Sequence, residues 1–278
     1  MGVAKTIGVY MLKRVIAGLL GLVILIFVLL MGGWVLVIST AIISIIGQIE
    51  IINAIAKKMN IIGIATLVIS AAYILTIPFF AEFGYLLEFI LVLILISALL
   101  FVFNHSKIDL KGLLAPIFSF FYVAIFLSTI YLIYQQYMGA FTIWLVCIAA
   151  WGSDTGAYFF GISMGKHKLA PILSPKKTIE GSIGGLLTAA VLSFIFGLIL
   201  YFSEIIYFEY TFWFVLIGFV GAVFGQIGDL AASVIKRKTN IKDFGKIMPG
   251  HGGVLDRFDS ILFVAPVIYL LTELVVFR

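Results

Sequence analysis

Three aspartates, Asp229, Asp256 and Asp259, sit in or beside apolar runs, in "GQIGDLAAS" and "VLDRFDS". A charge inside a membrane span costs about 2.5–3.5 kcal/mol on insertion scales, so a carboxylate retained there is a functional candidate. Carboxylates converging from two helices are a common way to hold Mg²⁺ beside phosphate ligands. Asp229, Ser233 and Lys236 or Arg237 recur at steps of three or four and so share one helix face. Asp256 and Asp259, three apart, share another. Asp154, in "AAWGSDTGAYFFG", is a fourth embedded carboxylate. Each has a structural alternative. Asp229 could pair with a nearby cation, Asp256 could cap a helix and Asp259 could pair with Arg257 or a lysine. Asp154 could be a hydrogen-bond hub among Trp151, Ser153 and Thr155.

Two polar segments could bring phosphate to these carboxylates. The first, "IKDFGKIMPGHGGVLDRFDS" at 241–260, carries Lys242, Asp243, Lys246, His251 and Arg257. In its "PGHGG", Gly250, Gly252 and Gly253 permit positive φ and close approach of backbone to a ligand. Successive amides there could form an anion nest leading into a helix N-terminus. His251 could be a base, a phosphate donor or a loop residue. The second, "LSPKKTIEGSIGG" at 173–185, places Lys176 and Lys177 just before a helix, as phosphate ligands or as membrane-surface anchors. Thr178 to Gly181 reads as a capped helix entry, and Gly181, Ser182, Gly184 and Gly185 would let another helix approach closely. "GISMGKHK" at 161–168 lacks the full nucleotide-loop pattern.

The elements that must position these groups are membrane helices. The chain has 278 residues, 63% hydrophobic and only 11% charged. Its apolar runs of about 20 residues suit spanning helices, not the short alternating strands of a barrel. The N-terminal run is long and lacks a clear small-residue cleavage site, so it reads as the first span. Nine spans are expected, near 14–31, 34–53, 60–80, 84–104, 113–134, 140–162, 179–202, 211–235 and 258–277. The fold expected is an all-α integral membrane protein. Residues 1–140 supply five scaffold spans, where a homodimer contact would fall. Residues 141–278 form the catalytic region, with long loops at 163–178 and 236–257. The single Cys147 excludes an internal disulfide and a cysteine metal cluster.

Basic residues set the orientation. With the N-terminus in the cytoplasm, nine spans put every Lys and Arg of the 18 except Arg278 on the inner side. The outer turns carry Glu82, Glu204 and Glu209 instead. Such segregation is the mark of retained cytoplasmic loops, here with an external C-terminus. The expected location is the plasma membrane (the bacterial inner membrane), with the reacting groups facing the cytoplasm.

The run from Ser233-Val-Ile-Lys236-Arg237 through Lys242-Asp243 and Pro249-Gly-His-Gly-Gly253 to Asp256-Arg257-Phe-Asp259 resembles the signature of phosphatidate cytidylyltransferases, the CDP-diacylglycerol synthases. "WGSDTGAYFFG" and "SPKKTIEG" are similar to that family too. Met248 stands where Leu or Ile would be expected. The motifs cover about residues 150–260; the first 140 residues match only as hydrophobic spans. The resemblance implies CTP and phosphatidate as substrates, CDP-diacylglycerol and pyrophosphate as products, and Mg²⁺ as cofactor with room for a second cation. It implies Asp229 and Asp256 as metal ligands, with Asp259 and Asp154 completing or orienting the centre. Lys236, Arg237, Lys242, Lys246 and Arg257 would then hold phosphates. No nucleic-acid partner is expected. Two alternatives remain: a CTP-dependent polyprenol or dolichol kinase, and a secondary transporter for a small anion coupled through embedded aspartates.

The topology has a direct test. In a Cys147→Ala background, single cysteines at Ser106 and Ser174 should react with an impermeant maleimide from the cytoplasmic face. Labelling of both from the outside alone reverses the orientation.

Overall fold

A computed structural model describes residues 18–80, 85–247 and 252–276. Among them the chain forms nine helices: α1 Gly18–Met31, α2 Gly33–Ala56, α3 Ile61–Phe79, α4 Leu86–Phe103, α5 Leu110–Gln135, α6 Gly139–Met164, α7 Ile179–Phe202, α8 Phe208–Lys238 and α9 Leu255–Leu271. The last turn of α3 is a 3₁₀ turn, and a π turn at Thr272–Val276 follows α9. Seven of the nine, α2 to α8, are long and apolar enough to cross a membrane. The chain is thus a multi-pass membrane protein. The described part of α1 is shorter, and α9 has 17 residues and opens on Asp256, Arg257 and Asp259.

Helix starts follow local chemistry. Asn60, Asp109 and Thr178 each accept a hydrogen bond from the amide three residues on, at Gly63 (2.9 Å), Gly112 (2.9 Å) and Gly181 (3.1 Å). These bonds satisfy helix amides that have no partner in the helix itself. α2 ends on Lys57 in the left-handed region, φ 64°. Two helices contain π turns, Phe120–Ile125 in α5 and Ile148–Gly152 in α6. The second ends immediately before Ser153 and Asp154, and such turns re-aim the side chains that follow them.

The fold departs from an all-α reading between α6 and α7. Residues 163–178 are not simply a loop. They contain a small antiparallel hairpin, β1 Lys168–Ala170 with β2 Ser174–Thr178, in which Lys168 faces Thr178 and Ala170 faces Ser174. Strand β2 runs straight into the cap of α7.

Two compact units divide the chain. The first holds residues up to 128 together with 239–258. Its core is built from α2, α3 and α5, with Ile51, Ile52, Ile62, Tyr73 and Phe120 buried. A polar seam crosses this core: the Gln48 amide donates to Ser44 (3.1 Å) and its oxygen accepts from Ser70 (2.8 Å). In a membrane such groups must find partners inside the protein.

The second unit holds residues 129–238 and 259–276. Small residues set its helix spacing. A Cβ on Gly185 of α7 would lie 2.6 Å from the Ser153 carbonyl oxygen of α6, and one on Gly181 would lie 2.7 Å from that of Ala157. Gly225 and Gly228 do the same for α8 against α9, and Gly221 for α8 against Ala149 of α6; a Cβ on Gly228 would lie 2.6 Å from the Asp259 carbonyl oxygen. Without a hydrophobic drive between helices in lipid, such close backbone approach is what holds spans together.

Gly185→Val should therefore lower the thermal midpoint of the detergent-purified protein, by overpacking worth about 1–3 kcal/mol. Ala at Gly21, where a Cβ meets nothing within 4 Å, should leave the midpoint unchanged.

Candidate functional site

In the second unit the residues that could do chemistry gather around one ion pair. Lys177, the last residue of the hairpin before the Thr178 cap, is salt-bridged to Asp229 of α8. Both side chains are about a quarter exposed, which keeps the pair reachable. One residue before Asp229, Gly228 lets α9 come close with Asp259. Asp229, Lys236 and Asp154 are electrostatic neighbours of Asp259, and the Asp259 carboxylate also accepts from the Ser260 amide at 2.8 Å. Asp154, Asp229 and Asp259 are thus drawn together from α6, α8 and α9. Ser233 and Lys236 follow Asp229 along α8 and are half-buried; Arg237 is exposed.

Beside this cluster lies a cleft of about 210 Å³, lined by Asp154, Tyr158, Leu169, Lys176, Lys177 and Gln226 among others. Its floor is a hydrogen-bond network that the sequence reading did not single out. Gln226 Nε2 donates to Ser153 Oγ (3.2 Å) and to the Ser182 carbonyl (3.0 Å), while Ser182 Oγ donates to Gln226 Oε1. One amide side chain thereby ties α6, α7 and α8 together, three residues before Asp229. The available signal was a lone Gln in the apolar run "FGQIGD".

The first unit organises the other polar segment. Asp256 accepts from the amides of Phe244 (2.8 Å) and Gly253 (2.9 Å), tying both residues to the start of α9. Gly252 sits at φ 86°, and a Cβ there would lie 2.7 Å from the Asp256 carboxylate. Glu50 of α2 adds a second clamp. Its two carboxyl oxygens accept from the amides of Val254 (2.9 Å) and Leu255 (2.8 Å). A side chain at Gly245 or Gly253 would collide with Glu50. Of the expected anion nest at 249–253, the Gly253 amide is bonded to the Asp256 carboxylate, and the amides of Val254 and Leu255, where the nest leads into α9, are bonded to Glu50, as buried amides must be. Gly250 and His251 lie outside the described residues. Lys242, Asp243, Lys246 and Arg257 are exposed in this unit. Lys57 Nζ donates to the Thr239 carbonyl (2.7 Å), fixing the chain as it leaves α8.

Glu50 is a residue that the sequence reading missed. Its signal was a carboxyl group inside the apolar run 33–56, the same signal that drew attention to Asp154 and Asp229.

Among the described residues, no three His, Cys, Asp or Glu side chains form a ready-made metal cage. Mg²⁺ beside a nucleotide takes one or two carboxylates and fills its shell with phosphate oxygens and water. The neighbouring carboxylates Asp229 and Asp259 fit that demand.

The Cytidylyltransferase family matches residues 12–275, and the chain belongs to that family. A protein named phosphatidate cytidylyltransferase from Staphylococcus aureus (strain COL) is 35% identical over 269 residues, 93% of this chain and 97% of its own length. One of the same name from Bacillus subtilis (strain 168) is 49% identical over 140 residues, half of each chain. A third, from Staphylococcus saprophyticus, is 34% identical over 265 residues.

The clamp can be tested by itself. Glu50→Ala leaves two buried amides without acceptors, each worth about 1–3 kcal/mol. It should lower the melting midpoint in detergent clearly more than Glu50→Gln, which keeps one acceptor. Equal midpoints for all three proteins would show that the two bonds contribute nothing.

Proposed function

We propose that this chain is a phosphatidate cytidylyltransferase, joining CTP and phosphatidate into CDP-diacylglycerol with release of pyrophosphate, for phospholipid synthesis. The carrying observation is the cluster of Asp154, Asp229, Asp259, Lys177 and Lys236 at a cleft between membrane helices. The family membership and the named relatives support the same reading.

A phosphatidate phosphate oxygen attacks the α-phosphorus of CTP. A P–O bond forms to the lipid phosphate, the bond between α-phosphorus and the bridging oxygen breaks, and pyrophosphate takes the electron pair. Such a transfer relies on positioning and charge neutralisation more than on covalent chemistry by the protein. Lys177 and Lys236 neutralise phosphate oxygens. Lys176, at the cleft, meets the lipid head group while the acyl chains stay in the bilayer. Arg237, one residue after Lys236, is a further phosphate ligand in this reading. Asp229 and Asp259 would hold Mg²⁺, with Asp154 close by; the ion, when bound, polarises phosphate and offsets the leaving charge. Parting of the Lys177–Asp229 pair would free the Lys177 ammonium for phosphate and leave the Asp229 carboxylate available as a ligand. The reacting groups would face the cytoplasm, where CTP is dissolved and where the basic loops are expected to lie.

The decisive experiment follows label. CTP labelled at its α-phosphate should pass label to lipid, and γ-label should appear only in pyrophosphate. Lipid carrying γ-label and no α-label would make the protein a lipid kinase instead. Asp229→Asn should lower turnover by at least about a hundredfold, the scale on which loss of a charge-stabilising group acts. The variant should remain folded in the membrane, and Lys177→Ala should slow α-label transfer without redirecting γ-label.

A further inference from the structure

The hairpin between α6 and α7 carries a feature that nucleotide transfer does not require. Its turn places Ile172 with 89% of its surface exposed, the most exposed large apolar residue among those described. Pro171 beside it is also exposed, and so are Lys166, Lys168 and Lys176 on the flanks. An exposed aliphatic tip framed by lysines suits neither a protein core nor bulk water. It suits the boundary of a bilayer, where an apolar group sits below anionic head groups and ammonium groups sit among them.

The placement of the hairpin points the same way. Leu169 of the hairpin lines the same cleft as Asp154 and Tyr158 of α6. Those residues lie ten and six positions before the last residue of α6, Met164, or about 15 and 9 Å back along the helix axis. The hairpin therefore runs back beside the helices and does not project away from them. The neighbouring surfaces are those of spanning helices, with Tyr158, Phe159 and Ile162 on α6 and Ile183 and Leu187 on α7 all exposed. The hairpin base is held rigidly. Glu180 accepts from the amides of Lys166 (3.0 Å) and His167 (3.2 Å) and pairs with the His167 ring at 2.6 Å.

We propose that the hairpin Lys168–Thr178 is an interfacial anchor: its tip, Ile172, sits just below the head groups of an anionic bilayer, and the cleft beside it opens sideways to lipid. The occupant of this surface is the membrane that already surrounds α6 and α7. The opening to lipid rests on the proposed use of a lipid substrate; the anchoring does not.

The test uses full-length protein in liposomes of phosphatidylglycerol and phosphatidylcholine. In a Cys147→Ala background, Ile172→Cys is labelled with an environment-sensitive nitrobenzoxadiazole dye, with Ser106→Cys as the exposed comparison. The Ile172 probe should emit at shorter wavelength than the Ser106 probe and be quenched by lipids bearing a nitroxide high on the acyl chain. The quenching should weaken when phosphatidylglycerol is omitted. Emission like that of the Ser106 probe, without nitroxide quenching, would overturn the anchor, as would efficient Ile172→Cys cross-linking between two copies. This measurement needs no turnover, so its failure is separate from failure of the transfer reaction. In the activity assay, Ile172→Ser should raise the apparent KM for phosphatidate several-fold at fixed detergent and leave the KM for CTP unchanged. An equal rise for both substrates would overturn the sideways opening.

Discussion

The ion pair between Lys177 and Asp229 is the interaction around which the second unit is arranged. A carboxylate on an apolar helix is tolerated when a cation reaches it, and here that cation is delivered with little freedom. Lys177 lies on strand β2, one residue before Thr178, which ends the strand and caps α7. The cap fixes where the helix begins, and the hairpin fixes where the chain comes from. Moving either would withdraw the ammonium group from Asp229 and leave a charge among apolar helices, a far larger penalty than the pair itself contributes when intact.

Glycine makes the arrangement compact enough to act. Gly181 and Gly185 admit the backbone of α6, and Gly228 admits that of Asp259. These contacts decide how near the carboxylates on α6, α8 and α9 can stand. Like charges brought together in this way repel, and the repulsion is relieved by a lysine, a metal ion or a proton. Gln226 holds the same three-helix junction of α6, α7 and α8 by hydrogen bonds, without adding charge. The cleft thus has a rigid neutral floor beside a wall of ionisable groups.

In the first unit the same avoidance of bare polar groups shapes a loop. The start of a helix exposes amides with no internal acceptors. Asp256 takes the Phe244 and Gly253 amides from inside the loop, and Glu50 takes two from across the fold. The glycines at 245, 252 and 253 are explained by these carboxyl groups, which leave no room for a side chain. In the segment expected to form an anion nest, the described amides of Phe244 and Gly253 are bonded to Asp256, and those of Val254 and Leu255 just after it are bonded to Glu50.

The sequence by itself determined the membrane class, the helix boundaries to within a few residues and the Thr178 cap of α7, because apolar run length and the amide three residues after a cap are local facts. It also determined the family, through the spacing of charged residues from Ser233 to Asp259, and it marked Asp154, Asp229 and Asp259 by the cost of charge in lipid. Tertiary structure decided which of these meet. The hairpin was illegible, since "KLAPILSPKKT" contains two prolines and its pairing rests on contacts across the turn. The partners of Glu50 lie some two hundred residues away, and those of Gln226 lie on two other helices. Whether a polar side chain is a ligand, a clamp or a floor depends on what packing places within about 3 Å of it, and no spacing along one chain segment encodes that distance.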